Sequence, residues 1–137
     1  SIPIATGERE FTRFDFQKLL DHEAIDVAQP DVARAGGITE IRRIAALASA
    51  RGVKVAPHAW GSGVLFAASI HLAMALPNTH ILEVSQGYMP MMNELFNEEY
   101  DILEGRVHAP TQPGIGFTLR DDVMERFKYV KSPEYVF

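Results

Sequence analysis

The sequence predicts an α/β fold made of parallel βα units. Four short apolar runs are each followed by a residue that can take part in acid–base or metal chemistry: Glu8, Asp31, His58 and Glu83. These residues lie 23, 27 and 25 positions apart, and helical patterns fill the gaps between them. Strands that alternate with helices at this interval are typical of βαβ units in a parallel sheet.

The predicted strands point their carboxyl ends to one side of the sheet. They are Ile2–Ala5, Ile25–Gln29, Val53–Ala56 and His80–Leu82. In a parallel barrel the carboxyl ends of the strands share one face, and catalytic groups collect there. We therefore expect the four residues that follow these strands to converge on one pocket. Two glutamates, an aspartate and a histidine in one cleft indicate an enzyme.

Three helices are predicted between the strands. Thr12, with Asp15 three residues later, forms a capping-box pattern that begins the first helix. The second helix begins after the glycine pair Gly36–Gly37, and the third begins near Ser62 and is ended by Pro77. The third helix consists almost entirely of apolar or small residues, so we expect it to be covered on two sides.

The βα alternation stops after Val84, which divides the chain into two predicted parts. Residues 1–99 would form the βα units, and residues 100–137 would be an extension that leaves them. In the extension, Glu104–Gly105 lies between two apolar pairs and predicts a hairpin turn. A last short helix is predicted from Asp121, with Val123, Phe127 and Val130 on its apolar face.

Composition limits the possible function classes. The net charge is −5, whereas a nucleic-acid surface needs a clustered basic excess. The chain has no cysteine, which excludes disulfides and zinc–thiolate sites. No apolar run approaches the roughly 20 residues that cross a bilayer, and the start does not resemble a signal peptide. We therefore expect a cytoplasmic protein that acts on a small molecule and binds neither nucleic acid nor membrane.

Four βα units amount to half of an eight-stranded barrel. Half a barrel exposes two long parallel edges, which favours association with further polypeptide. The chain also enters its first predicted strand at Ser1, without an initiator methionine. We therefore expect this chain to be the C-terminal part of a longer protein, and to form homo-oligomers.

Five segments carry a resemblance to a known family. They are Ile4–Glu8, Gln29–Asp31 with Ala35–Glu40, Ala56–His58, Leu82–Glu83 and Pro113–Gly116. On these segments the chain resembles the C-terminal barrel half of the enolase superfamily, in the mandelate racemase/muconate lactonizing enzyme branch. The loop after the first strand and the helix that follows it are most similar to acid-sugar dehydratases, such as the galactonate dehydratases.

The resemblance implies a role for each of the four residues. Glu8 matches one of three carboxylates that bind a catalytic Mg²⁺, and His58 matches the base that takes the α-proton of a carboxylate substrate. Asp31 matches the partner that orients this histidine. Glu83 matches the acid that hydrogen-bonds the substrate carboxylate. Each residue alone also fits a cap or a satisfied polar group, and Asp31 fits a turn residue after Pro30.

The resemblance further implies a Mg²⁺-dependent lyase that dehydrates a sugar acid to a 2-keto-3-deoxy acid. A racemase or epimerase of α-hydroxy acids is the first alternative among enzymes, because an Asp–His pair serves both reactions, and cycloisomerisation stays open as well. A non-catalytic fragment is the alternative outside enzymes. In this family the extension over residues 100–137 would pack on an N-terminal capping domain, and the isolated chain, with one of three metal carboxylates, would be inactive.

Overall fold

The computed structural model describes residues 2–131 and contains five helices and five strands within that range. The helices are α1 (Thr12–Asp21), α2 (Gly37–Ser49), α3 (Gly63–Ala75), α4 (Pro90–Asn93) and α5 (Asp121–Arg126). The strands are β1 (Ala5–Thr6), β2 (Val27–Ala28), β3 (Lys54–Val55), β4 (Ile102–Leu103) and β5 (Arg106–Val107). None of these helices is both long and apolar enough to span a membrane.

The first three strands form a parallel sheet in the order β1-β2-β3. Ala5 pairs with Val27, and Val27 pairs in turn with Lys54. Helices α1 and α2 connect consecutive strands, which is the βαβ arrangement predicted from the spacing of the apolar runs. The predicted α/β fold class is thereby confirmed. Each of these strands has only two residues and is shorter than predicted, and Ile2 and Ile4, which precede β1, are exposed.

The fourth predicted strand, His80–Leu82, does not form. A single parallel bridge joins Thr79 to Val55 of β3. The N–H of Val55 donates to Asn78 O (2.9 Å), and the N–H of His80 donates to Val55 O (2.7 Å). Beyond that bond the chain leaves the sheet, and Ile81 is 60% exposed. The prediction of a regular fourth strand is therefore wrong, although the segment does lie beside β3.

Helix α3 lies between two apolar clusters. On one side Leu65 and Leu72 join the core formed by the sheet with α1 and α2. On the other side Phe66 and Ile70 pack against Ala59 and Met92. Phe66 is fully buried, and truncating such a residue to alanine typically costs about 3–5 kcal/mol. The expectation that this helix is covered on two sides is confirmed.

The helix N-termini differ in how they are capped. Ser62 is the N-cap of α3, and its Oγ accepts from the N–H of Leu65 (3.3 Å). The capping box predicted at Thr12 is wrong by one residue, because Phe11 is the N-cap of α1. The Oδ2 of Asp15 accepts from the N–H of Phe11 (3.1 Å). Thr12 has a φ of 56°, which is incompatible with the extended backbone of an N-cap residue.

The C-terminal extension contains the predicted hairpin. β4 and β5 pair in antiparallel fashion around Glu104–Gly105, whose φ values of 51° and 73° fit a type I′ turn. The last helix begins at Asp121 as predicted, and Val123 is buried against Ala67 and Leu95. The predicted apolar face is shorter than expected, because α5 ends at Arg126. That the extension packs on a capping domain stays a prediction, and residues 132–137 lie outside the described residues.

Candidate active site

Three of the four predicted site residues meet at one edge of the sheet. Glu8 follows β1, Asp31 follows β2 and His58 follows β3. The Nδ1 of His58 lies 2.8 Å from Oδ2 of Asp31, and its Nε2 lies 3.4 Å from Oε2 of Glu8. The imidazole is therefore held between two carboxylates.

The two carboxylate oxygens of Asp31 have different hydrogen-bond partners. Oδ1 accepts from the N–H of Ala33 (2.8 Å) and the N–H of Arg34 (3.1 Å), as an aspartate in a turn does. Oδ2 faces His58. Because Asp31 is only 3% exposed, both oxygens are fixed by protein groups. The turn interpretation and the pairing interpretation of this residue are thus compatible.

His58 is oriented through its backbone as well as its ring. It forms a parallel bridge with Asp31, and its N–H donates to Pro30 O (3.1 Å). An ionised carboxylate only accepts hydrogen bonds, so with Asp31 ionised the Nδ1 of His58 must carry the hydrogen. In the neutral ring the lone pair then lies on Nε2, which faces the Glu8 carboxylate at 3.4 Å, so Nε2 is available as a base only when Glu8 turns to another partner. This tautomer is the one that a general base needs.

Glu8 occupies the open side of the site. The residue before it, Gly7, has a φ of 127°, and a Cβ there would lie 2.6 Å from the ring of Phe16. The turn after β1 therefore requires glycine, and it projects Glu8 away from the core. The Glu8 side chain is 52% exposed, with Arg9 Nε at 3.7 Å from Oε1. A carboxylate this open can exchange its partners.

Glu83 joins the site without a regular strand beneath it. Its Oε2 accepts from the backbone N–H of Ala59 (3.0 Å), the residue that follows His58. The side chain thus approaches the loop that carries the histidine. All four predicted residues are brought together within the described structure, three by direct side-chain contact and Glu83 through this backbone bond.

Among the four candidate residues, Glu8 has the chemistry of a Mg²⁺ ligand. Mg²⁺ prefers hard oxygen ligands in octahedral geometry, and Glu8 offers an accessible carboxylate. In the part of the chain that the structure describes, no three His, Asp or Glu side chains are grouped so that they could hold a metal ion. Glu8 therefore suits a metal site that needs further ligands from elsewhere.

Glu40 was assigned no role in the sequence analysis, although this residue is the last one of the matching segment Ala35–Glu40. Glu40 is 7% exposed and accepts hydrogen bonds from Arg13 and Arg43. The N–H of Arg13, the guanidinium of Arg43 and that of Arg13 together lower the pKa of Glu40 to about 2, against the opposing effect of burial. The position of Glu40 in the first turn of α2, where carboxylates are favoured, was the available signal.

Comparison with known proteins identifies the family. The model of the family described as "Enolase C-terminal domain-like" matches residues 1–123. The chain belongs to this family.

Several similar proteins are named for sugar-acid chemistry or for enzymes of the mandelate racemase/muconate lactonizing type. The chain is 37% identical to a "D-galactonate dehydratase family member" of Streptomyces bingchenggensis, over 99% of this chain and 33% of that protein. It is 35% identical to the "D-galactonate dehydratase" of Pectobacterium atrosepticum, over 93% of this chain and 35% of that protein. A solved structure of a "mandelate racemase/muconate lactonizing enzyme" from Jannaschia sp. superposes with a TM-score of 0.86 at 38% identity, over 96% of this chain and 33% of that one.

These matches confirm the resemblance found in the sequence. The chain is an α/β member of the enolase superfamily that is similar to acid-sugar dehydratases. It spans about a third of the length of the curated relatives it matches.

Proposed function

We propose that this chain supplies the general base of an enzyme that takes the α-proton of a carboxylate substrate and dehydrates a sugar acid to a 2-keto-3-deoxy acid. The observation that carries the proposal is the buried Asp31 carboxylate 2.8 Å from Nδ1 of His58. In the neutral ring this contact leaves the lone pair on Nε2, on the side of the exposed Glu8 carboxylate. Packing alone does not require such a pair, which argues against a non-catalytic fragment.

In the proposed mechanism His58 moves the proton twice. Its Nε2 takes the α-proton, and the carboxylate of Asp31 stabilises the imidazolium that forms. The imidazolium then gives the proton to the departing β-hydroxyl, so that water leaves and a carbon–carbon double bond remains. The resulting enol rearranges to the 2-keto acid. His58 thus ends the cycle in its starting state.

The two glutamates would have different roles. Glu83, whose Oε2 accepts from the N–H of Ala59, would in its protonated form donate a hydrogen bond to one oxygen of the substrate carboxylate. Glu8 would be one ligand of Mg²⁺. When bound, Mg²⁺ supplies positive charge beside the substrate carboxylate, which makes the α-proton more acidic.

A racemase or epimerase of α-hydroxy acids is the second candidate. The same His58–Asp31 pair can return the proton to the α-carbon instead of giving it to a leaving group. One structural neighbour is named for a racemase and a lactonizing enzyme. The names of the two curated relatives favour the dehydratase.

The proposal is tested in a chimera. Residues 1–137 would replace the matched third of the Pectobacterium D-galactonate dehydratase, and a panel of sugar acids would be incubated with Mg²⁺ in deuterated water. We expect a 2-keto-3-deoxy acid from at least one substrate. We also expect the variant His58→Asn to lose about 10²–10⁴-fold in α-proton exchange, the usual contribution of a general base. The matched control is His80→Asn, since His80 is exposed.

Three results would contradict the proposal. Deuterium incorporation at the α-carbon without elimination would favour the racemase or epimerase. Retained exchange in a folded His58→Asn chimera would remove this histidine as the base. A folded chimera, inactive on every acid, would support the non-catalytic alternative.

A further inference from the structure

A cluster of one carboxylate and two guanidinium groups joins the N-terminal turns of α1 and α2. Oε1 of Glu40 accepts from the backbone N–H of Arg13 (3.0 Å) and from its Nη1 (2.7 Å). The same Nη1 lies 2.9 Å from Oε2 of Glu40. Nη1 of Arg43, three residues along α2, also lies 2.9 Å from Oε2. The Arg13 bonds cross between the helices, whereas the Arg43 bond stays within one helix.

The turn of α1 that Arg13 occupies is in contact with the loop that carries Glu8. Phe16, one turn further along, is fully buried, and its ring leaves no space for a Cβ at Gly7. The N–H of Glu10 donates to Gly7 O (3.1 Å), which closes the turn between β1 and α1. A rotation of α1 would therefore move the backbone from which Glu8 projects.

The turn of α2 that Glu40 occupies is in contact with the loop that carries Asp31. A Cβ at Gly36 would lie 3.2 Å from Cβ of Glu40, so this loop passes directly against the glutamate. The N–H of Ala35 donates to Asp31 O (2.8 Å), and the N–H of Gly37 donates to Val32 O (3.0 Å). A shift of α2 would move the backbone that holds Asp31.

His58 completes a closed ring of contacts, because it touches both Asp31 and Glu8. We infer that Glu40 is a positioning residue, which sets the spacing between Glu8 and the His58–Asp31 pair by clamping the two helices at one angle. The inference rests on the proposed function of that pair. Buried ion pairs contribute little net stability compared with apolar contacts, and their best attested use is to specify one arrangement.

An ion pair at the C-terminal ends of the same two helices provides a matched control for the Glu40 substitution. Asp21 is the last residue of α1, and Arg51 lies just after α2. Their side chains form an ion pair far along the helices from the site loops. Asp21→Asn therefore loosens the same helix pair without touching the turns that carry the site.

The test compares Glu40→Gln with Asp21→Asn in the chimera, with two readouts. Amide hydrogen exchange reports the order of the loops around Glu8 and Asp31. We expect Glu40→Gln to speed exchange in both loops by at least about tenfold, because a charge-assisted clamp is lost. In the proton-exchange assay we expect kcat to fall about tenfold or more with KM changed less than about threefold, since small misplacements of reacting groups act on kcat. Asp21→Asn should change neither readout by more than about twofold.

The outcomes separate this inference from the proposed function. If Glu40→Gln loosens only one loop, or lowers kcat no more than Asp21→Asn does, Glu40 is not a positioning residue. If the unsubstituted chimera shows no proton exchange, the proposed function fails, and the amide-exchange result still decides whether the clamp couples the loops. Where Glu40→Gln does not fold, Arg13→Gln removes the guanidinium that joins the two helices, and both loops staying ordered in that variant would show that Glu40 does not position them. Arg43→Gln, which breaks only the bond within α2, should leave both loops ordered.

Discussion

The Nδ1 of His58 lies 2.8 Å from Oδ2 of Asp31, and the backbones of the same two residues pair in a parallel bridge. The side-chain contact is therefore made at an isolated backbone bridge, which lies just beyond the carboxyl ends of β2 and β3. Backbone pairing thus holds these two residues, which are 27 positions apart in the chain, side by side. This arrangement gives the imidazole a fixed orientation at little cost in side-chain entropy.

The first prediction concerns Asp31→Asn. The asparagine carbonyl can still accept from Ala33 and Arg34, so the fold should persist. Its NH₂ group would face Nδ1 of His58, which can then only accept, and the ring hydrogen would move to Nε2. In the chimera we expect α-proton exchange to fall by about 10³–10⁴-fold, as in a triad whose aspartate becomes asparagine.

Nitrogen-15 NMR of the imidazole checks the cause of that loss. The spectrum should show hydrogen on Nδ1 of His58 before the substitution and on Nε2 after it. Ala33→Gly is a suitable control, because it alters the same turn and keeps the carboxylate. An Asp31→Asn protein with full exchange activity would show that the pairing is structural.

The second prediction is that Glu40 makes the stability of the fold depend on pH in the acid range. Its pKa is lowered from an ordinary value of 4.5 to about 2, chiefly by the N–H of Arg13 and the guanidinium of Arg43. The unfolded chain therefore binds a proton here before the folded chain does as the pH falls. The stabilisation is complete above about pH 4.5 and is lost between that pH and about pH 2. Urea unfolding over this range should show a steeper loss for the unsubstituted chain than for Glu40→Gln.

Glu104→Gln provides the matched control for the acid range. Glu104 lies in the exposed turn between β4 and β5. Its substitution should leave the slope of stability against pH as it was. If Glu40→Gln gave the same slope as the unsubstituted chain, the cluster with Arg13 and Arg43 would not be formed in solution.

The sequence allowed the βα order, the family and the meeting of the four candidate residues to be predicted, because strand spacing and short motifs are local patterns. The roles of these residues stay a prediction. Apolar runs followed by Asp31 and His58 carry that information directly. The fourth strand failed because the single bridge to β3 is made by Thr79, just before His80–Leu82, and the chain then leaves the sheet. Glu40 was missed because its partner Arg13 is 27 residues away, and no local spacing signals a contact between two helices.

Tyr100 gives a third prediction, at alkaline pH. Burial raises the pKa of its hydroxyl to about 12. The folded chain therefore keeps the proton between pH 10 and 12 while the unfolded chain releases it, so stability falls as the pH rises through this range. Tyr100→Phe should flatten that fall. At neutral pH it should cost about 1 kcal/mol, because the hydroxyl no longer donates to Met92 O (3.2 Å).

The exposed Tyr88 is the control for this measurement. Tyr88 is 70% exposed, so Tyr88→Phe removes a hydroxyl that water already solvates. Its pH dependence of unfolding should match that of the unsubstituted chain. Equal alkaline slopes for Tyr100→Phe and the unsubstituted chain would mean that Tyr100 is solvated in solution.

The last prediction is that the 137-residue chain alone neither binds Mg²⁺ tightly nor turns over sugar acids. Within residues 2–131 the metal chemistry rests on the carboxylate of Glu8, with no group of three ligands. Mg²⁺ gives up its waters reluctantly, so calorimetry should find a Kd no tighter than about 1 mM, the weak end of carboxylate sites for divalent cations. The chimera, assayed in the same buffer, should be active. A monomeric chain, verified by its mass in solution, that released a 2-keto-3-deoxy acid would show that the described residues suffice for catalysis.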